Sequence, residues 1–377
     1  MNRKALVDFL DSLEEKGIPG CDMVVYHDHK PVFRHMAGFA DEAKTRPITE
    51  DTTYWLYSAT KLITCTAVMQ LVEKGSIGLD DPVYEFLPEY KDLKVKKETC
   101  IEPAANTMTI RHLLTMQSGL NYDLGLPSVR RVLKETAGKA TTREIIKALA
   151  EELLDFEPGT RYQYSLSHDV LGAVIEVVSG LRFGEYLKQN IFDPLGMKDT
   201  GFELTAVRKA NMSEQFEYRP DTNTSVRMTS DNCYVLSDNF ESGGAGLIST
   251  VDDYILYLDA MCNWGTSPGG YKILDAGYID LMRRDQLHEV SKNDFRQLGK
   301  IGYSYGLGVR TLVDKERSHS RSPLGEFGWD GAAGAYALID TDNHLAIFYA
   351  QHVRGCGYAY EKIHPTIRDL TYEMLGL

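Results

Sequence analysis

Ser58 and Lys61 are the residues whose types and spacing point most directly to chemistry. Ser58 is the only serine in the chain with a lysine three positions on. On a helix, residues i and i+3 share a face about one turn apart, so a hydroxyl and an amine come within reach of each other. The segment from Ala59 to Lys74 is almost continuously apolar, with Leu62, Ile63, Val68, Met69 and Leu71 among its residues. Such a segment reads as a buried helix, ended by Gly75. Burial disfavours the ammonium form of Lys61 and drives its pKa down, and a neutral amine beside a hydroxyl is a base beside a nucleophile. Ser58 would also lie near the positive end of the helix dipole, where developing negative charge is stabilised. The same residues equally fit a helix-capping serine followed by a lysine snorkelling to the surface. On these residues alone both readings stand.

Other patterns carry less. Gly265-Thr266-Ser267-Pro268-Gly269 matches G-x-S-x-G, but that motif needs a strand before it and a helix after it. Here a helix-like run, Asp252–Asn263, precedes it and Gly270 follows, so it reads as a surface loop. Gly243-Gly244-Ala245-Gly246 lacks the spacing of a dinucleotide fingerprint. His27 and His29 flank Asp28 with no third ligand nearby, which reads as a turn and implies no metal.

The elements that must position Ser58 and Lys61 come from both ends of the chain. Leu6, Phe9, Leu10 and Leu13 recur at helical spacing, stopped by Gly17 and Pro19. Runs at 23–26 and 31–36 read as an antiparallel hairpin. Strand signals return at 306–313, 334–340 and 345–351, the last two joined by the turn Asp340-Thr341-Asp342-Asn343. Between them, short helical segments at 110–116, 142–154 and 169–178 alternate with Pro- and Gly-rich loops. An α/β fold is expected, with a central antiparallel sheet, flanking helices and an inserted, mostly helical lobe. The expected divisions are 1–78 and 236–377 for the α/β lobe and 79–235 for the helical one.

With 377 residues, 43% hydrophobic and 25% charged, the composition is that of a globular protein with a sizeable core. A net charge of −13 repels phosphate backbones and anionic lipids, which argues against nucleic-acid and membrane partners. No apolar run approaches the roughly 20 residues of a bilayer span. The first residues lack the unbroken apolar stretch of a signal peptide. The six cysteines are scattered without C-x-x-C, as in reduced proteins of a cytoplasm, and a cytoplasmic location is expected.

Taken in order, several stretches resemble the serine β-lactamase and penicillin-binding-protein superfamily. They are Gly17-Ile18-Pro19-Gly20, Tyr57-Ser58-Ala59-Thr60-Lys61, Leu79-Asp80-Asp81-Pro82-Val83, Ile110-Arg111-His112-Leu113-Leu114-Thr115 with Ser118-Gly119-Leu120, and Asp193-Pro194-Leu195-Gly196-Met197. Gly243-Gly244-Ala245-Gly246-Leu247 and Tyr305-Gly306-Leu307-Gly308-Val309 complete the series. The chain looks most like the class C β-lactamase branch and its family VIII carboxylesterases, and the likeness extends over nearly its whole length. The resemblance implies a β-lactamase-like fold and three catalytic residues. These are Ser58 as nucleophile, with Lys61 and Tyr164 (of Tyr164-Ser165-Leu166) as shared base and acid. Without the resemblance, Tyr164 would read as a core aromatic. It further implies an oxyanion hole from the backbone N–H groups of Ser58 and Ala332. Trp329 and Gly331, of Trp329-Asp330-Gly331, would line the substrate site, with Trp329 at a sheet edge.

Two departures from the β-lactamase pattern tilt the expected reaction. Leu166 stands where an asparagine would hydrogen-bond a β-lactam side chain, and Trp329 stands where a lysine would hold a substrate carboxylate. A hydrogen bond to a charged group is worth roughly 1.5–3 kcal/mol, so carboxylate-bearing substrates should bind less well. Indole offers apolar surface and one N–H, suited to an uncharged acyl or alcohol group. The expected activity is hydrolysis of small carboxylic esters through an acyl-enzyme on Ser58, with no metal or organic cofactor. The alternatives are an acyltransferase on the same site, a weak β-lactamase or D-amino-acid peptidase, and a non-catalytic binding relative. The intact Ser58, Lys61 and Tyr164 argue against the last.

Overall fold

The computed structural model describes residues 3–377. Its core is a seven-stranded antiparallel sheet drawn from both ends of the chain. The strands are β1 (Gly20–His27), β2 (Lys30–Gly38), β3 (Tyr303–Tyr305), β4 (Arg310–Leu312), β5 (Phe327–Asp330), β6 (Tyr336–Asp340) and β7 (Leu345–Gln351), in the spatial order β2-β1-β7-β6-β5-β4-β3. The β1–β2 hairpin turns at Asp28 and His29, both with positive φ, and His29 Nδ1 hydrogen-bonds Asp259 Oδ2 at 2.8 Å.

Alternation along β7 shows why this strand is apolar at nearly every position. Leu345, Ile347 and Tyr349 face a core closed by α1 (Lys4–Asp11) and the C-terminal helix. Ala346, Phe348 and Ala350 face the opposite core, with α2 (Thr60–Glu73), α3 (Ser167–Ser179) and α4 (Val251–Cys262). Successive strand side chains point to opposite faces, so a strand covered on both sides must be hydrophobic throughout. The C-terminal helix, α5 (His364–Leu375), places Ile367 and Tyr372 against the first core. Helix α2 is buried along nearly all its length, as its nearly continuous apolar run requires. No helix among the described residues is long and apolar enough to cross a membrane.

Three strand expectations are corrected. The run 306–313 is not one strand: β3 and β4 form a hairpin, with Arg310 opposite Tyr305. Gly308 has φ +81° at the turn between them, and a Cβ added there would stand 2.1 Å from Cys65 Sγ on α2. The chain therefore reverses where it packs closely on α2, although its apolar texture continues across the turn. The strand expected from 334 starts at Tyr336, because Gly331–Ala335 forms a tight turn closed by Gly331 N–H donating to Ala335 O at 2.9 Å. Trp329 is not on an edge strand, since β5 lies between β6 and β4. It does extend past the end of β4, which pairs only with Phe327 and Gly328. The helical runs at 110–116 and 142–154 are shorter than expected, Ile110–Leu114 and Thr142–Leu149. Ser267 of the G-x-S-x-G pattern lies in a loop after α4, where its hydroxyl accepts from Tyr271 N–H at 3.1 Å.

Candidate active site

Ser58 lies in a single 3₁₀ turn, Tyr57–Ala59, that runs directly into α2. The residue before it, Tyr57, is fully buried with φ +48°. A bulky residue is seldom found in that region, and the surroundings must hold it there. The Tyr57 hydroxyl donates to Gln215 Oε1, and its ring meets Tyr234 edge-on with centroids 6.0 Å apart. Ser58 is thus presented from a turn fixed on both sides.

One helical turn on, Lys61 is fully buried, and its Nζ has three neutral partners. They are Ser58 Oγ at 3.2 Å, the Tyr122 hydroxyl at 3.2 Å and the Gly244 carbonyl at 2.6 Å. The Tyr164 ring lies beneath the amine, 4.7 Å from Nζ to centroid. Burial pulls the Lys61 pKa down to about 7, against upward pulls from Asp169 and Cys65. Asp169, in the first turn of α3, is buried as well. Its Oδ1 accepts from Ser242 Oγ at 2.6 Å and from Gly244 N–H at 3.2 Å. Its Oδ2 has no hydrogen-bond partner. Burial raises the Asp169 pKa, and Lys61 opposes that rise. Gly244 therefore stands between the buried carboxylate and the buried amine, its N–H on the first and its C=O, in the next peptide group, on the second.

Tyr164 is sandwiched between two aromatic rings, Tyr122 at 5.4 Å and 17° and Trp329 at 5.7 Å and 25°. Its hydroxyl accepts from the Trp329 indole N–H at 3.1 Å. Burial pushes the phenol up, while hydrogen bonds with Ser58 and Trp329 pull it down less strongly. At neutral pH it stays a phenol. Gly331 follows β5 and approaches the Ser58 turn closely: a Cβ there would stand 2.4 Å from the Leu56 carbonyl oxygen. Ala332, next in sequence, lines the same crevice as Ser58. Among the described residues, neither the Ser58 nor the Ala332 N–H donates to a backbone carbonyl. Ser58, Tyr122, Tyr164, Trp329, Gly331 and Ala332 all line one crevice of about 890 Å³.

All six residues singled out from the sequence therefore meet in one place. Two details differ from expectation. The indole N–H is engaged by Tyr164, so Trp329 offers substrate only its apolar surface. Lys61 hydrogen-bonds the Tyr122 hydroxyl and lies over the face of the Tyr164 ring. Sequence reasoning missed Tyr122, whose only signal is its place just after Ser118-Gly119-Leu120. It also missed Asp169, five residues beyond Tyr164, and Tyr234, which meets Tyr122 edge-on at 5.5 Å.

The profile of the family described as "Beta-lactamase" matches residues 5–355. The chain belongs to the β-lactamase family. Esterase EstB of Burkholderia gladioli is 30% identical over 358 residues, covering 90% of this chain and 87% of EstB. Among solved structures, EstCE1, titled a hydrolase with promiscuous acyltransferase activity, superposes with a TM-score of 0.80 at 23% identity, covering 97% of each chain. Unliganded simvastatin synthase (LovD) from Aspergillus terreus gives 0.80 at 20% identity over the full length of both. These two likenesses establish a shared fold.

Beyond Trp329, this β-lactamase-family crevice becomes polar. Lys300 lies over the indole, 5.3 Å from Nζ to centroid, and is ion-paired with Asp330. Arg310 pairs with Glu326 at 3.1 Å and with Asp330 at 3.5 Å. A lysine ammonium thus stands beside Trp329 after all, supplied by another segment and neutralised by the aspartate next to the tryptophan.

Proposed function

We propose that the protein is a serine hydrolase of carboxylic esters, working through an acyl-enzyme on Ser58. The observation that carries this reading is a fully buried amine, enclosed by neutral groups, 3.2 Å from the serine hydroxyl; burial there pulls the amine's pKa down to about 7. A neutral amine has two N–H groups and one lone pair. The Gly244 carbonyl can only accept and the Tyr122 oxygen can accept, which leaves the lone pair free to face Ser58. Lys61 then takes the serine proton as Oγ attacks the ester carbonyl. The carbonyl oxygen, becoming negative, is received by the Ser58 and Ala332 N–H groups.

Tyr164, protonated and beside Ser58, supplies a proton to the departing alcohol. The proton held by Lys61 restores the Tyr164 phenol, and water then takes the place of the serine hydroxyl, losing its proton to Lys61 while Tyr164 protonates Ser58 Oγ as the acid is released. The apolar face of Trp329, together with Tyr234, supports uncharged acyl and alcohol groups over β-lactams. The kinship with EstB points the same way.

The crevice volume favours a second reading on the same chemistry. About 890 Å³ is more than a small acyl ester needs, so an alcohol larger than water has room to accept the acyl group. The test uses p-nitrophenyl acetate and butyrate with wild type and Ser58→Ala, following nitrophenol release and protein mass, with and without added alcohol. Ester hydrolysis predicts a Ser58-dependent mass gain and release little changed by the alcohol. Acyl transfer predicts faster release and formation of the new ester. Equal turnover by Ser58→Ala would remove both readings.

A further inference from the structure

Tyr360 lies in the single π-type turn Ala359–Ile363 that opens α5. Its hydroxyl donates to the Gly331 carbonyl oxygen at 2.8 Å. The same oxygen accepts from the Gly334 N–H at 2.9 Å. The Gly331 carbonyl and the Ala332 N–H are opposite ends of one planar trans peptide. A group that holds the carbonyl end therefore sets the direction of the N–H. The rest of this turn is anchored separately: Val353 N–H donates to Ala333 O at 3.0 Å, and His364 Nε2 hydrogen-bonds Gly334 O at 3.1 Å.

We propose that Tyr360 is a positioning residue that orients and polarises the Gly331–Ala332 peptide, keeping the Ala332 N–H aimed at the substrate oxyanion. The inference rests on the reading of the Ser58 and Ala332 amides as the oxyanion hole. Hydrogen bonds in a chain polarise one another, so a carbonyl that accepts two bonds leaves its peptide N–H a stronger donor. Such donors act through being fixed before the reaction, so a peptide free to tilt loses part of its effect. The Tyr360 ring lines the crevice, but its hydroxyl is engaged with the backbone. Burial raises its phenol, so it remains a donor through the neutral range.

The test is Tyr360→Phe, which removes only the hydroxyl. Its kcat and KM for p-nitrophenyl acetate are measured per site titrated with a fluorophosphonate, along with inhibition by phenylboronic acid, whose adduct with Ser58 is tetrahedral. Losing an oxyanion donor outright costs about 10²–10³ in rate, and losing its alignment should cost roughly tenfold in kcat. KM should move less than about twofold, because the donor acts mainly in the transition state. Phenylboronic acid should weaken by the same factor as kcat. A purely structural role would lower the number of titratable sites and leave kcat per site unchanged. That result, or unchanged boronic acid affinity, overturns the proposal. If Ser58→Ala hydrolyses the ester as fast as wild type, the oxyanion-hole reading itself falls, and the role of Tyr360 with it.

Discussion

Two buried basic side chains, Lys61 beneath Ser58 and Arg310 at the end of β5, are compensated differently. Lys61 is surrounded by neutral groups: a hydroxyl, a phenol and a carbonyl. The nearby carboxylate, Asp169, bonds to the Gly244 peptide instead of to the amine. Arg310 touches two carboxylates, Glu326 and Asp330, and also donates to Ala337 O at 3.1 Å. Burial lowers the Lys61 pKa to about 7. At Arg310 burial acts in the same direction, but Glu326, Tyr336 and Asp330 outweigh it and the pKa rises. Burial alone would raise Asp330, yet Lys300 and Arg310 hold its carboxyl well below the usual range. Direct compensation makes a buried charge permanent, and its lack makes a buried amine a base. The first arrangement braces the end of β5, and the second supplies chemistry.

Four substitutions would break or sharpen this contrast. Lys61→Met removes the base without a large change in volume, and general-base losses of this kind run to about 10²–10⁴ in kcat/KM. Steady-state hydrolysis of p-nitrophenyl butyrate measures it, and a loss under tenfold would erase the distinction. Arg310→Met leaves buried Glu326 without its cation and Asp330 with Lys300 alone, and should cost about 3–5 kcal/mol in urea unfolding. Turnover per titratable site should change far less than in Lys61→Met. Tyr122→Phe removes one neutral partner of the amine, worth about 1 kcal/mol, or roughly fivefold in rate. Asp169→Asn has the smallest effect on the maximal rate. It removes the charge that pulls the Lys61 pKa up, so the acid limb of the pH profile should move to lower pH.

Local patterns were legible in the sequence and remote juxtapositions were not. Ser58 and Lys61 could be paired because one helical turn fixes their relation, and the unbroken apolar run beyond them announced that the amine would be buried. Tyr164, Trp329, Gly331 and Ala332 entered only through resemblance, since nothing in their own spacing ties residues 164 and 329 to residue 58. Tyr122 and Asp169 had no such signal. Gly244, which contacts both Asp169 and Lys61, lies 75 residues beyond the aspartate. The run 306–313 reads as one strand because the turn between β3 and β4 is as apolar as its arms. Only packing against Cys65 shows why Gly308 must stand there. β5, four residues long with a glycine inside, carries no strand signal of its own, and only the resemblance places Trp329 on a sheet.

The most direct test of the central claim, that Lys61 is a neutral base beside Ser58 near physiological pH, is the pH dependence of acylation in single-turnover experiments with p-nitrophenyl butyrate. Only the unprotonated amine can accept the serine proton, so the rate should level off above pH 7 and fall toward tenfold per unit below a midpoint of about 7. A rate that stays level down to pH 5, or that rises only as pH approaches the ordinary lysine range above 10, would contradict the account.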